Sequence, residues 1–222
     1  MSPIKIDKIV RSKRKTVALM VMADATLVVR APMRTPLYYI NDLVAKNRLW
    51  IKKRKDLAIR ENDSYEAKEF VDGEEFLYLG DRYKLKLSDD KQIELNDRLI
   101  FPRDFLSCAT GKMIEWYKVQ ALKVISERVV WYSRMTGWEY KSVRISNAKT
   151  RWGSCGATGS LNFSWRLIMA PPKIVDYLVV HELAHLKHRN HSAKYWNTVS
   201  AILPDYKERD RWLKDNGRSL NL

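Results

Sequence analysis

All four histidines of this 222-residue chain fall within one short stretch, at positions 181, 185, 188 and 191. That crowding constrains the fold more than any other feature. His181-Glu182-Leu183-Ala184-His185 is an H-E-x-x-H sequence. A helix turns about 100° and rises about 1.5 Å per residue, so His181 and His185 project from one face, a turn apart. Two imidazoles so placed can grip one metal ion, and Glu182 lies beside them, where a carboxylate can take a proton from a metal-bound water. The preceding residues 173–180, KIVDYLVV, form an apolar helical run that buries such a helix and holds its ligands rigidly.

A catalytic zinc site has three protein ligands and one open position. On a continued helix His188 lies roughly 10 Å along the axis from His181, too far for one ion to span. Arg189-Asn190 reads instead as a helix end, because Asn tolerates the left-handed turn that closes helices. Ser192 reads as the N-cap of a new helix. A break at Asn190 swings His191 back toward the metal. The expected set is one Zn2+ on His181, His185 and His191, with Glu182 as the catalytic general base and His188 left as a surface or supporting residue. Cys155 is a candidate for the fourth position, where a thiolate would close the shell and make the centre structural.

Several stretches of the chain resemble one family. HELAHLKHRNHSAKYW, the upstream KTRWGSCG (149–156) and SWRLIMAP (164–171), and the downstream Pro204-Asp205-Tyr206 with Trp212-Leu213 resemble the YgjP-like metallopeptidases. So do VVRAP (28–32) and VDGEEFLYLG (71–80). These are zincins related in pattern to the WLM and SprT groups. The resemblance covers nearly the whole chain and implies a zinc peptidase site with Glu182 as general base. The histidine spacing also equals that of metzincins, but His188 stands where those have Gly, and no Met follows Met169 to form a Met-turn.

Size and charge bound the alternatives. The length allows one large domain or two small ones with ample core. Two cysteines, Cys108 and Cys155, are too few for a disulfide framework. The N-terminal MSPIKIDKIVRSKRK shows no apolar signal segment and no run approaches a membrane span, so a cytoplasmic protein with no membrane partner is expected. The net charge of +15 is uneven: residues 1–60 contribute +11, 61–103 contribute −5 and 104–222 contribute +9. A basic N-terminal half suits nucleic acid or another acidic partner. The cluster Lys52-Lys53-Arg54-Lys55 has a plainer explanation, as cations near a helix C-terminus that complement the macrodipole.

Taken in order, residues 4–31 read as strands with a turn at Ala23-Asp24, and residues 36–60 as one long helix opened by Thr35-Pro36. Residues 61–68 read as a linker. Short strands follow at 76–79, 83–87, 92–95 and 98–101. Pro102 marks the expected domain boundary: a basic, β-rich subdomain with one long helix over 1–103, and a zincin-like metal-binding catalytic domain over 104–222. Within the second, a helix over 112–135 stops at Gly137. Gly156-Ala157-Thr158-Gly159 joins two strands as a hairpin. The fold class is α+β. Zincin-like folds place an edge strand over the metal, where an extended peptide pairs by β-augmentation. Trp152, Gly153 and Ser154 are the expected substrate-binding residues, with Gly153 admitting close backbone approach. Tyr195 and Tyr206 are candidate oxyanion donors, though packing suffices to explain each. The competing function is a nucleic-acid- or protein-binding module whose zinc is purely structural.

Overall fold

A computed structural model describes residues 4–22, 24–63 and 68–222. The chain is α+β, and its described residues form six α-helices and three small sheets. It parts into two compact units between Glu66 and Ala67. The expected division at Pro102 is therefore not where the units separate. The reason is packing. Phe70, Phe76, Leu85, Leu99 and Phe101 are buried in the same core as the long helix and the histidine-bearing helix. Four of the eight linker residues, 64–67, and Ala23 of the expected turn lie outside the described residues.

The first unit is a three-stranded sheet with two helices. β1 (Lys8–Ser12) runs parallel to β3 (Leu27–Pro32), and β2 (Ala18–Val21) pairs antiparallel on β3's other side. Leu27, Val29 and Ala31 alternate inward, and the exposed Arg30 shows the period of two. They meet Ile40, Val44 and Ile51 in a small core of their own. The Arg11 guanidinium holds the corner after β3 by donating to the carbonyls of Pro32, Met33 and Thr35 at 3.3, 3.0 and 2.7 Å. The expected single helix over 36–60 is two, α1 (Leu37–Lys46) and α2 (Arg48–Asp63). Asn47 separates them with φ −99° and ψ 16°, its side chain donating to the Leu43 carbonyl at 2.8 Å. A short side chain that bonds the preceding turn competes with the helical ladder.

The second unit is built around α3 (Ala109–Thr136), 28 residues long. Met113, Tyr117, Ala121, Ile125, Val129 and Tyr132 recur at three- and four-residue intervals and are buried. Each large member contributes about 1.5–3 kcal/mol by leaving water. The helix ends at Gly137, which takes the left-handed conformation at φ 67° that closes helices. Tyr117 stacks on Trp165 at 5.6 Å, and its hydroxyl donates to the Leu77 carbonyl at 2.7 Å.

Two sheets flank this helix. β4 (Glu75–Tyr78), β5 (Asp81–Ser88), β7 (Leu99–Pro102) and β6 (Glu94–Leu95) form one, in that order. Its β4–β5 turn docks on the segment before the histidine helix, with the amides of Leu79 and Gly80 donating to the carbonyls of Ile168 and Met169 at 2.7 and 3.1 Å. The other sheet has the order β8 (Ser142–Ser146), β10 (Ser160–Ser164), β9 (Gly153–Cys155), so β9 is an edge. Then come α4 (Pro172–Ala184), α5 (Ala193–Ile202) and α6 (Tyr206–Asn216).

Candidate metal centre

Helix α4 carries the first two histidines at its end. Pro171-Pro172 opens it, where a missing N–H costs nothing. Ile174, Val175, Leu178, Val179 and Val180 are almost wholly buried, which fixes the rotation that brings His181 and His185 inward. The helix stops at Ala184, not at Asn190 as expected from sequence. His185 is its C-cap, and the chain tightens there, the amides of Leu186 and Lys187 donating to the carbonyls of Leu183 and Ala184. The short turn brings His191 back to the helix end. Ser192 then caps α5, its hydroxyl accepting the Tyr195 amide at 3.4 Å.

One nitrogen from each of His181, His185 and His191 lies within 4.8 Å of the other two. Nε2 of His181 and Nε2 of His191 are 3.2 Å apart. Nitrogens bound tetrahedrally at about 2.0–2.1 Å from zinc are separated by roughly 3.3 Å, so the spacing fits a shared ion. His185 Nδ1 donates to the His188 carbonyl at 3.0 Å, which places the proton on Nδ1 and leaves Nε2 a free lone pair. Burial, with His185 and His191 close by, pushes His181 down to about 4. Burial also lowers His191, helped by His185. The rings of His181 and His191 are thus neutral at neutral pH, the state in which imidazole binds metal. His181 Nδ1 is buried without a hydrogen-bond partner.

The surroundings hold these rings from several sides. Tyr195 is fully buried, 4.7 Å from the His185 ring and 4.8 Å from that of His191, and its hydroxyl donates to the His181 carbonyl at 2.9 Å. That hydroxyl is committed to the backbone. Trp196 stacks on His191 at 5.4 Å, and Tyr206 stacks on Trp196 at 5.2 Å. His188 supports the turn. Its Nε2 meets Thr198 Oγ1 at 3.1 Å, and the Thr198 proton is already given to the Lys194 carbonyl, so His188 is the donor. Arg189 ties the same turn to the hairpin by donating to the carbonyls of Gly156 and Ala157 at 3.1 and 2.8 Å. Spacing alone could not have found these supports, since each depends on where the turn places a backbone carbonyl or ring.

Glu182 is only 4 % exposed, and burial pushes its carboxyl up to about 8 against the opposing pull of Arg151. Edge strand β9 lies against it. A Cβ added to Gly153 would meet Glu182 Oε1, and would come within 2.7 Å of Cγ. Of the three residues expected to bind substrate, Trp152 gives its carbonyl to the Ser164 amide at 2.8 Å, and its ring packs on Gly217. The antiparallel ladder pairs Ser154 with Asn162, and the Gly156 amide donates to the Ser160 carbonyl. By the alternation of such a ladder, Gly153 and Cys155 turn their main-chain groups to the open edge. Among the described residues Cys155 is not in the metal-competent group, and burial raises its thiol.

A sequence model of the YgjP-like metallopeptidase domain matches residues 15–216. This chain belongs to the YgjP-like family. It is accordingly a metallopeptidase, and its substrates are peptides or proteins. A crystal structure of the metallopeptidase zymogen abylysin from Pyrococcus abyssi shares 23 % identity with this YgjP-like chain, covering 41 % of it and 93 % of the abylysin chain at a TM-score of 0.38. No curated protein matches. Among the described residues of this YgjP-like protein, no helix is long and apolar enough to cross a membrane.

Proposed function

We propose that the chain is a zinc-dependent metallopeptidase in which His181, His185 and His191 hold one Zn2+ and Glu182 is the general base. The observation that carries this reading is the convergence of three imidazoles within 4.8 Å, with the buried carboxyl group of Glu182 on the adjoining helix position. Bound zinc supplies a Lewis acid for the scissile carbonyl and lowers the pKa of a water to about 7. Everything else is the work of the chain. His185 is held in the right tautomer by the His188 carbonyl. Glu182, whose ionised form a cation held by the neighbouring imidazoles would favour, takes in that form the proton of the attacking water and returns it to the leaving amine. Gly153 and Cys155 offer outward N–H and C=O groups to an extended peptide laid along β9, which brings its carbonyl over Glu182.

Replacing Glu182 with Gln tests the reading. Zinc content should stay at one ion per chain while hydrolysis of an unstructured peptide falls by about 10²–10⁴-fold, the range for a lost general base. Wild-type turnover by Glu182→Gln would remove the proposed chemistry. The rival, a binding module stapled by a structural zinc, calls for a closed shell containing Cys155. The group of three imidazoles without a thiol does not favour it.

A further inference from the structure

The first unit carries a surface that the peptidase chemistry does not use. Residues 33–60 contain eight Lys or Arg against two Asp. Helix-dipole complementarity would explain Lys52-Lys53-Arg54-Lys55 only at a helix C-terminus. The break at Asn47 removes that explanation, because α2 begins at Arg48 and the cluster falls in the first half of its 16 residues. There the macrodipole offers cations nothing. Lys55 pairs with Asp7 at 3.1 Å, but Lys52, Lys53 and Arg54 are exposed. Asp42, one of the two acids, is neutralised by Lys46 at 2.8 Å.

The same helices expose aromatic rings. Tyr38 is 76 % exposed, Tyr39 49 % and Trp50 43 %. On α1 the core residues Ile40 and Val44 define the inner face, and Tyr38 falls on the opposite side by helical rotation. On α2 Trp50 and Arg54 are four residues apart and share one exposed flank. Solvent-facing rings set near the exposed Lys52, Lys53 and Arg54 match what an unpaired nucleic acid strand presents: a π-face on every base and a charge on every phosphate. Duplex backbone alone would need the cations and not the rings.

We propose that the outer face of α1 and α2 binds single-stranded nucleic acid, with Tyr38 and Trp50 stacking on bases and Lys52, Lys53 and Arg54 contacting phosphates. This does not rest on the zinc site, and the two fail separately. The test uses the full chain and a fluorescein-labelled 20-nucleotide oligothymidylate, read by anisotropy across a salt series. Affinity should fall linearly on a log–log salt plot. Lys52→Gln, Lys53→Gln and Arg54→Gln together should flatten the slope by about 2, since each single-strand phosphate contact contributes roughly 0.7. Tyr38→Ala with Trp50→Ala should weaken binding about tenfold or more at every salt concentration while leaving the slope unchanged, as lost stacking predicts. The far-ultraviolet circular dichroism and thermal melt of both variants should match wild type, which shows that they fold, and hydrolysis of an unstructured peptide should be unaffected. Absence of binding at low salt, equal binding of a duplex of the same length with no effect of the ring substitutions, or a preference for anionic phospholipid vesicles over the oligonucleotide would each overturn the proposal.

Discussion

Gly153 has no side chain because Glu182 fills the space one would need: a Cβ there would stand 2.7 Å from Glu182 Cγ and 2.8 Å from Cδ. The strand and the carboxylate are in contact as two rigid bodies, one on a sheet edge and one at a helix end. Gly153→Ala must push one of them aside. A displacement of about 1 Å in a reacting group costs on the order of 10²-fold in rate. We expect kcat/KM to fall by that factor while the thermal midpoint moves little. Equal kcat/KM in the two proteins would mean that the strand does not set the position of the acid.

His191 is the exposed member of its trio, carried on a turn and not on a helix. His191→Ala leaves two imidazoles, and a two-ligand site does not retain zinc against a chelator. Wild type should keep one zinc per chain after gel filtration with a chromophoric chelator, and the variant should keep none. Retention of a full equivalent by His191→Ala would place the third ligand elsewhere.

Trp196 lies flat on the His191 ring and is itself backed by Tyr206. Groups that orient a metal ligand without touching the metal are typically worth 10–100-fold in affinity. Trp196→Ala should therefore weaken zinc by about tenfold or more in a competition titration, and Trp196→Phe should restore part of the loss. Packing alone, with no orienting effect, would lower the melting temperature and leave the zinc affinity of the folded protein where it was.

Asp7 gives the first unit a pH dependence of its own. Its carboxylate accepts the Leu27 amide at 2.6 Å and the Lys55 ammonium at 3.1 Å, and these bonds hold its pKa below the usual carboxylate range, the amide contributing most. A depressed carboxyl pKa stabilises the fold above the unfolded value, about 3.9, and that stabilisation is lost as pH falls through the folded value. Asp7→Asn should be less stable than wild type at pH 7, and the gap in melting temperature should narrow steadily as pH falls below about 4. A gap that does not narrow at all with acidification would show that the bonds at Asp7 contribute through something other than its charge.

The grouping of His181, His185 and His191 was legible in sequence where chemistry dictates spacing. H-E-x-x-H needs only a helix, and the return of His191 needs only a break before it. The position of that break was not legible. Asn190 looks like a helix end by propensity, whereas the helix ends at Ala184, where the His185 ring donates to the His188 carbonyl and the amides of Leu186 and Lys187 tighten the turn, a preference that no local signal carries. The long helix over 36–60 failed for the converse reason: Asn47 is unremarkable in an apolar-periodic run, yet its side chain ends the ladder. The division at Pro102 rested on turn chemistry and a charge shift. Tyr78 and Trp116, 5.6 Å apart on opposite sides of that proline, show that apolar packing across it decides where the compact unit begins. The hairpin of β9 and β10 was fixed by its glycines, but which of its residues face outward depends on ladder register.

The core beneath α4 is apolar and closed: Leu161, Phe163, Trp165, Val179 and Leu183 have no exposed surface at all. Small zinc modules fold only when metal arrives, because they have no such interior. A scaffold with such an interior should fold before it meets an ion, so that the supply of metal would govern how much of the folded population is armed, and not how much of it folds.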